Sequence, residues 1–142
     1  MEIIKRNTDY ALRALVYLAL HSGTVVNAGE IAASEDIPID FLQKIMQKFV
    51  RSGLVNSHRG VQGGFSLAKE PRQVNVLEVV ETMQGKLAMN RCFLGKDGCP
   101  RAPKCRIKNN WRDMEQKFVE FLNGITLQDL VNQLRGLDAK GG

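Results

Sequence analysis

The sequence contains no long apolar run, because its longest uninterrupted hydrophobic stretch is the seven-residue segment 14–20. A membrane-spanning helix needs about 20 such residues, so we expect no membrane segment. The first six residues lack the basic-then-apolar layout of a secretory signal, which favours a cytoplasmic protein. With 44% hydrophobic residues among 142, the chain nevertheless has enough apolar surface to form one folded domain, which excludes wholesale disorder.

Histidine is also scarce, and its placement argues against an enzyme. Only His21 and His58 are present, and neither has a nucleophile suitably placed in the sequence. Ser57 and His58 are adjacent in a predicted strand, where their side chains would point to opposite faces. A small enzyme or electron carrier is the alternative from another class, and sequence-specific footprinting without turnover would separate it from a DNA-binding protein.

Positive charge exceeds negative charge, and the excess is clustered. The 20 Lys and Arg against 15 Asp and Glu give a formal charge of +5. Segment 41–69 carries five basic residues and no acid, while segment 86–112 carries eight basic residues and one acid. Clustering of this kind indicates anionic partners, nucleic acid above all, more strongly than the net charge does. The alternative is two ordinary solvated faces.

The order of apolar periods, caps and glycines predicts a mainly α protein with a small β-hairpin. Its architecture would be a winged helix-turn-helix followed by a long C-terminal dimerisation helix. The expected helices run from a Thr8-Asp9 cap to about Gly23, from an Asn27 cap to about Ser34, and over 38–52, 76–83, 106–122 and Thr126 onward. Short strands over 54–58 and 65–68 flank a glycine-rich turn. The expected regions are 1–85 for DNA binding, a cysteine loop over 86–105, helices over 106–137 and a flexible tail over 138–142.

The helix over 38–52 has two distinct faces. Its apolar face carries Phe41, Leu42, Ile45, Met46 and Phe49, and its opposite face is polar and basic. A helix in the major groove must offer hydrogen bonds to base edges and cations to phosphates, whereas any amphipathic surface helix also turns polar residues outward. The hairpin tip can reach a minor groove, where Arg is favoured. The candidate DNA-binding residues are Pro38, Gln43, Lys44, Gln47, Lys48, Arg51, Ser57, Arg59, Gly60 and Gly63.

Within this set, position along the helix suggests different roles. Gln43 and Lys44 lie near the helix N-terminus and are suited to base contacts, with Gln47 a weaker candidate. Lys48 and Arg51 are better placed to neutralise phosphate. Arg59 at the hairpin tip is the candidate for the minor groove.

Cys92, Cys99 and Cys105 lie within 14 residues. Zinc sites usually bring their ligands in closer pairs, and no His lies in this segment to complete a tetrahedron. The wider spacing favours an iron–sulfur cluster, and the surrounding basic residues would lower the thiol pKa values. Zinc, a thiol-only redox switch and three structural cysteines remain as alternatives.

Residues 8–85 resemble the Rrf-two family of bacterial winged-helix regulators, and the resemblance continues through nearly the whole chain. The segments that carry it are 8–15, Ile37-Pro38 through Phe41-Leu42, 52–55, the wing 59–68 with its Arg-Gly-x-x-Gly-Gly-aromatic pattern, and 79–85. The resemblance implies a homodimer that binds an operator of two-fold character. It also implies a dimer interface on the long helix, for which the candidate residues are Ile107, Trp111, Met114, Phe118 and Phe121. Core packing within one subunit is the alternative for these side chains.

The resemblance also bears on the cofactor. Cluster-bearing members of the family place three cysteines in this loop, but the IscR-type branch adds a His three residues after the last one, where this chain has Lys108. The NsrR-type branch completes a 4Fe–4S cluster with a carboxylate of the partner subunit, at the position of Asp9. The resemblance therefore implies a 4Fe–4S cluster held by the three cysteines and Asp9, with a 2Fe–2S cluster as the alternative. An Asp in the first turn of a helix is also favoured by the dipole alone.

The expected function is a repressor that senses nitric oxide, iron or iron–sulfur status. The competing hypothesis is a regulator of the same family without a cluster, responding to thiol oxidation, a small molecule or a protein partner.

Overall fold

The structure is a computed structural model that describes residues 1–90 and 100–141. Its helices are α1 (Arg6–Leu20), α2 (Ala28–Glu35), α3 (Ile39–Ser52), α4 (Val76–Gln84), α5 (Lys108–Asn123) and α6 (Leu127–Gly141). Strands β1 (Val55–His58) and β2 (Gly64–Leu67) form a two-stranded antiparallel sheet. One-turn 3-10 helices cover Pro71–Gln73 and Ala102–Lys104. The predicted fold class, mainly α with one β-hairpin, is confirmed.

Helix α1 lies at the centre of the core, with Ala11, Ala14 and Leu15 fully buried. The predicted Thr8-Asp9 cap was wrong, because α1 begins at Arg6 and Thr8 lies inside it with 1% of its surface exposed. The Thr8 hydroxyl donates a hydrogen bond to Gln84 Oε1 at 2.6 Å instead. Its partner is 76 residues away in the sequence, beyond the reach of a local capping rule.

Helices α2 and α3 are joined by a tight turn. The Asn27 side chain accepts a hydrogen bond from the Glu30 amide at 2.7 Å, so the predicted N-cap of α2 is confirmed. The Glu30 carboxylate accepts from the Tyr17 hydroxyl. Asp36 ends α2 in the left-handed region at φ 53°, and Pro38 is the N-cap of α3, one residue before its first helical position.

The apolar face of α3 packs against α1 through Leu42, Met46 and Phe49, none of which has exposed surface. Phe41, which the sequence groups with this apolar face, lies outside its buried part, because this side chain is 47% exposed. At 100° per residue it lies about a quarter turn from the centre of the buried face. Its ring contacts that of Tyr10, with 6.4 Å between centroids.

The hairpin formed by β1 and β2 is fastened to the segment before α2. The Val26 amide donates to the Phe65 carbonyl at 2.9 Å, and the Phe65 amide donates to the Val26 carbonyl at 2.8 Å. This close approach requires glycine at Gly64, since a Cβ there would meet the Val26 carbonyl oxygen, and the φ is +155°. The wing therefore has a defined position beside the helix pair.

A second, smaller core joins α4 to α5 through Val76, Val80 and Leu122. Helix α5 begins two residues later than predicted, and α6 continues to Gly141 through most of the predicted tail. Within the described ranges, no helix is long and apolar enough to cross a membrane.

Candidate nucleic-acid interface and ligand residues

The outer face of α3 lines a groove of about 750 Å³ that also reaches Ala28 and the wing residue Phe65. Every polar side chain predicted for DNA binding on this helix is exposed and lies along the groove. They are Gln43, Lys44, Gln47, Lys48 and Arg51. The structure therefore brings amide and cationic groups of one helix together on a single open surface.

Asp40 also lines this groove but is not among the residues predicted from the sequence, because it lies one position before the acid-free segment 41–69. Three cations and one carboxylate thus share the surface. A carboxylate can accept a hydrogen bond from a cytosine amino group, so its presence is compatible with base contact.

The remaining predicted DNA-binding residues lie outside the groove. Pro38 is exposed at the start of α3, and Ser57 is exposed on β1 opposite Phe65. Arg59 and Gly60 are exposed at the hairpin tip, where Gly60 has a φ of +105°. Gly63 is half-buried, and a Cβ there would meet the His58 carbonyl oxygen. A tight tip with one exposed guanidinium is suited to a narrow groove.

Asp9 lies on the first turn of α1 with its side chain 59% exposed. Both Nε and Nη2 of Arg13, one helical turn later, contact Asp9 Oδ2 at 3.1 Å. The exposed carboxylate is thus oriented by one guanidinium and remains accessible from outside the subunit.

Arg13 links Asp9 to the end of α2. Its Nη1 donates to the Glu35 carbonyl at 2.8 Å, and its guanidinium lies 4.9 Å from the centre of the Tyr10 ring. Burial raises the pKa of the Glu35 carboxyl, opposed by the charge of Arg13 and reinforced by that of Asp36. Sequence reasoning missed this role, although the i, i+4 spacing of Asp9 and Arg13 was a usable signal.

Of the three predicted cysteine ligands, Cys105 is half-buried, just after the Ala102–Lys104 turn, while Cys92 and Cys99 lie outside the described residues. Among the residues that are described, no three His, Cys, Asp or Glu side chains cluster as a metal site. The segment leading to the cysteines is held by two carboxylates. Glu81 accepts from the Leu87 amide at 3.1 Å and Glu115 from the Met89 amide at 3.2 Å.

The five residues predicted for the dimer interface divide into two groups. Ile107, Met114 and Phe121 are 47%, 51% and 65% exposed. Trp111 and Phe118 are partly buried, and Phe118 packs against the second core of its own subunit. Core packing therefore explains the partial burial of Phe118. Ile107, Met114 and Phe121 instead present apolar surface to the outside.

A helix pair with a basic second helix, followed directly by a hairpin with a glycine-rich tip, defines a winged helix-turn-helix protein of the DNA-binding class. The chain matches the family described as Rrf2, iron-dependent transcriptional regulator, over residues 4–133. It belongs to this family of transcriptional regulators.

Relatives and solved structures agree with this assignment. The chain is 35% identical over 132 residues to a putative HTH-type transcriptional regulator of Aquifex aeolicus, covering 92% of each protein. It is 35% identical over 133 residues to the regulator IscR of Klebsiella pneumoniae, covering 93% of this chain and 81% of that protein.

Two solved structures share the fold. IscR of T. potens has a TM-score of 0.75 at 26% identity, covering 94% of this chain and 88% of that one. The global cysteine regulator CymR of B. subtilis has a TM-score of 0.78 at 22% identity, covering 94% and 98%. The two relatives are described as transcriptional regulators, which agrees with the expectation of a regulator and not an enzyme for this chain.

Proposed function

We propose that the protein is a homodimeric repressor that binds an operator of two-fold character and responds to nitric oxide, iron or iron–sulfur status through a bound iron–sulfur cluster. The observation that carries the DNA-binding part is the groove along α3, where Gln43, Lys44 and Arg51 are exposed together. Amides and cations on one helix supply both kinds of contact that a major groove requires.

The apolar surface of α5 supports the homodimer. Met114 and Phe121 of α5 and Ile107, the N-cap residue of this helix, recur at spacings of seven, and all are at least 47% exposed. Leu134 and Leu137 on α6 add further exposed apolar area, at 40% and 64%. A second copy of this chain would bury such a surface. A two-fold dimer would then present its two α3 helices to the two half-sites of an operator.

The donor set fits an iron–sulfur cluster. Three thiols within 14 residues supply soft ligands, and the exposed Asp9 carboxylate supplies a fourth that a neighbouring subunit can reach. In the proposed dimer, Cys92, Cys99 and Cys105 of one subunit and Asp9 of the other would hold the cluster, with 4Fe–4S favoured over 2Fe–2S. Such a cluster would supply redox and nitric-oxide reactivity.

The contacts of Arg13 connect Asp9 to the turn that precedes α3. The same guanidinium holds the Asp9 carboxylate and the Glu35 carbonyl that ends α2. The turn after Glu35 leads within three residues into the N-cap of α3. A change in what Asp9 binds would therefore alter the support of this turn, and with it the placement of α3.

Operator affinity of the cluster-loaded and cluster-free proteins tests the proposal. Protein purified without oxygen should be coloured, contain iron and sulfide, and bind one DNA sequence in preference to scrambled DNA at a fixed salt concentration. Removing the cluster should change operator affinity. Equal affinities would contradict cluster sensing, and a colourless protein after careful reconstitution would favour the regulator without a cluster.

Asp9→Ala should reduce cluster content or alter its visible spectrum, because the variant lacks the proposed fourth ligand. Asp113→Ala is a matched control, since Asp113 is also exposed and also pairs with a cation four residues later, Lys117, at 3.1 Å. Iron and sulfide counts with native mass spectrometry measure the effect. Cluster content and spectra equal to those of Asp113→Ala would remove Asp9 from the ligand set.

A further inference from the structure

A second basic groove, of about 520 Å³, lies between the start of α1 and the middle of α3. The cations along it are Lys5 and Arg6 at the start of α1 and Lys48 of α3. Its one carboxylate is Glu2, and its other side is formed by the end of α4 with Met83. The groove thus carries more positive than negative charge.

This groove shares a cation with the candidate nucleic-acid interface. Lys48 lines both the second groove and the groove along α3. Lys5 and Arg6 are exposed, and neither they nor Lys48 form an ion pair with a carboxylate of the described residues. Their charges are therefore available to a polyanion that already lies along α3.

The chain around Lys5 is held in place by a single side chain. Gln84 Oε1 accepts hydrogen bonds from the Lys5 amide at 3.0 Å and from the Thr8 hydroxyl at 2.6 Å, while Gln84 Nε2 donates to the Ile3 carbonyl at 3.0 Å. These contacts order the backbone on both sides of the two cations before any ligand binds. A backbone that is already ordered loses less conformational entropy when the cations it carries meet their partner.

We infer that Lys5 and Arg6 bind phosphates of the operator backbone next to the segment that α3 reads, with Gln84 holding them in position. The inference rests on the proposed DNA binding and extends the contact surface beyond α3 and the wing. Backbone contacts of this kind set the orientation of the protein on the duplex and add affinity without selecting a base sequence.

The double variant Lys5→Gln, Arg6→Gln tests this inference through the salt dependence of operator binding. Each phosphate contact contributes about 0.9 to the slope of log affinity against log salt concentration, and the proposed dimer carries two copies of each cation, so the slope should fall by about 3.6. Between about 50 and 200 mM salt, the wild type should then lose about 150-fold more affinity than the variant. The ratio of operator to scrambled-DNA affinity at a given salt concentration should change little.

Arg72→Gln is the matched control, because Arg72 is exposed, lies outside both grooves and pairs with Glu70 at 2.7 Å. Its slope should equal that of the wild type. Single methylphosphonate substitutions in the operator, which remove one phosphate charge each, provide an independent measurement. At least one position should weaken the wild type but not the double variant.

The outcomes separate this inference from the function on which it rests. If the wild type prefers the operator but the double variant has an unchanged slope, Lys5 and Arg6 do not bind phosphate and the proposed function stands. If the wild type does not distinguish an operator from scrambled DNA, the proposed function itself fails.

Discussion

Phe49→Ala is expected to lower the free energy of unfolding by about 3–5 kcal/mol, the usual cost of removing a buried phenyl ring. Phe49 has no exposed surface and lies in the core between α3 and α1. The truncation removes buried apolar contacts and leaves a cavity that a tightly packed helix pair cannot close. Urea or thermal unfolding followed by circular dichroism measures the loss, and since a stability of 5–15 kcal/mol is typical, partial unfolding at 37 °C is a second expected sign.

Phe41→Ala is the matched control on the same helix. Its side chain is 47% exposed, so truncation should cost about 1 kcal/mol or less, mainly through the contact with Tyr10. Equal losses for the two variants would contradict the packing of α3 described above. The pair also separates a loss of folding from a loss of DNA binding in any later experiment on this helix.

Gln43→Ala is expected to cost about 1–3 kcal/mol, or about 5- to 150-fold in affinity, at each half-site of the operator, and to relax the preference at one base position of each. Gln43 is exposed on the first half of α3 and lines the groove beside Lys44 and Gln47. An amide that forms two hydrogen bonds to an adenine edge loses both on truncation. Affinities for operators changed one base pair at a time reveal which position becomes indifferent.

Arg51→Ala should weaken operator binding without changing the base preference, in contrast to Gln43→Ala. Arg51 lies on the last turn of α3, where a guanidinium is suited to phosphate. We expect weaker binding to all sequences, an unchanged base preference and a salt slope reduced by about 1.8, because each subunit of the dimer loses one contact. A change in base preference with Arg51→Ala, or none with Gln43→Ala, would reverse the roles assigned to the two halves of the helix.

Much of the DNA-binding region was predictable because its determinants are local. The Asn27 cap of α2 and the separation of polar from most apolar residues on α3 follow from spacings of three and four. The glycines of the wing also predict a tight turn. Only the close approach of Gly64 to Val26, however, explains why position 64 accepts no other residue. These features need no knowledge of the rest of the chain.

Two of the differences between expectation and structure, at Thr8 and Phe41, concern side chains whose surroundings are set by other elements. Thr is a common N-cap residue, but Thr8 lies inside α1. Its hydroxyl donates to Gln84 of α4, a partner that only the packing of α4 against α1 provides. Phe41 belongs to the edge of the apolar face, and its burial depends on whether a neighbouring element covers that edge. Helical periodicity identifies a face but not its width.

The sequence by itself determined the succession of helices and strands, the basic outer face of α3, the three clustered cysteines and the family resemblance. Each of these depends on the identity and spacing of neighbouring residues. The tertiary structure alone decided that Arg13, the helical neighbour of Asp9, also reaches the Glu35 carbonyl and that Gln84 holds the chain around Lys5. Those contacts depend on how whole helices pack, because a side chain finds a partner 20 to 80 residues away only once the hydrophobic core has brought the two elements together.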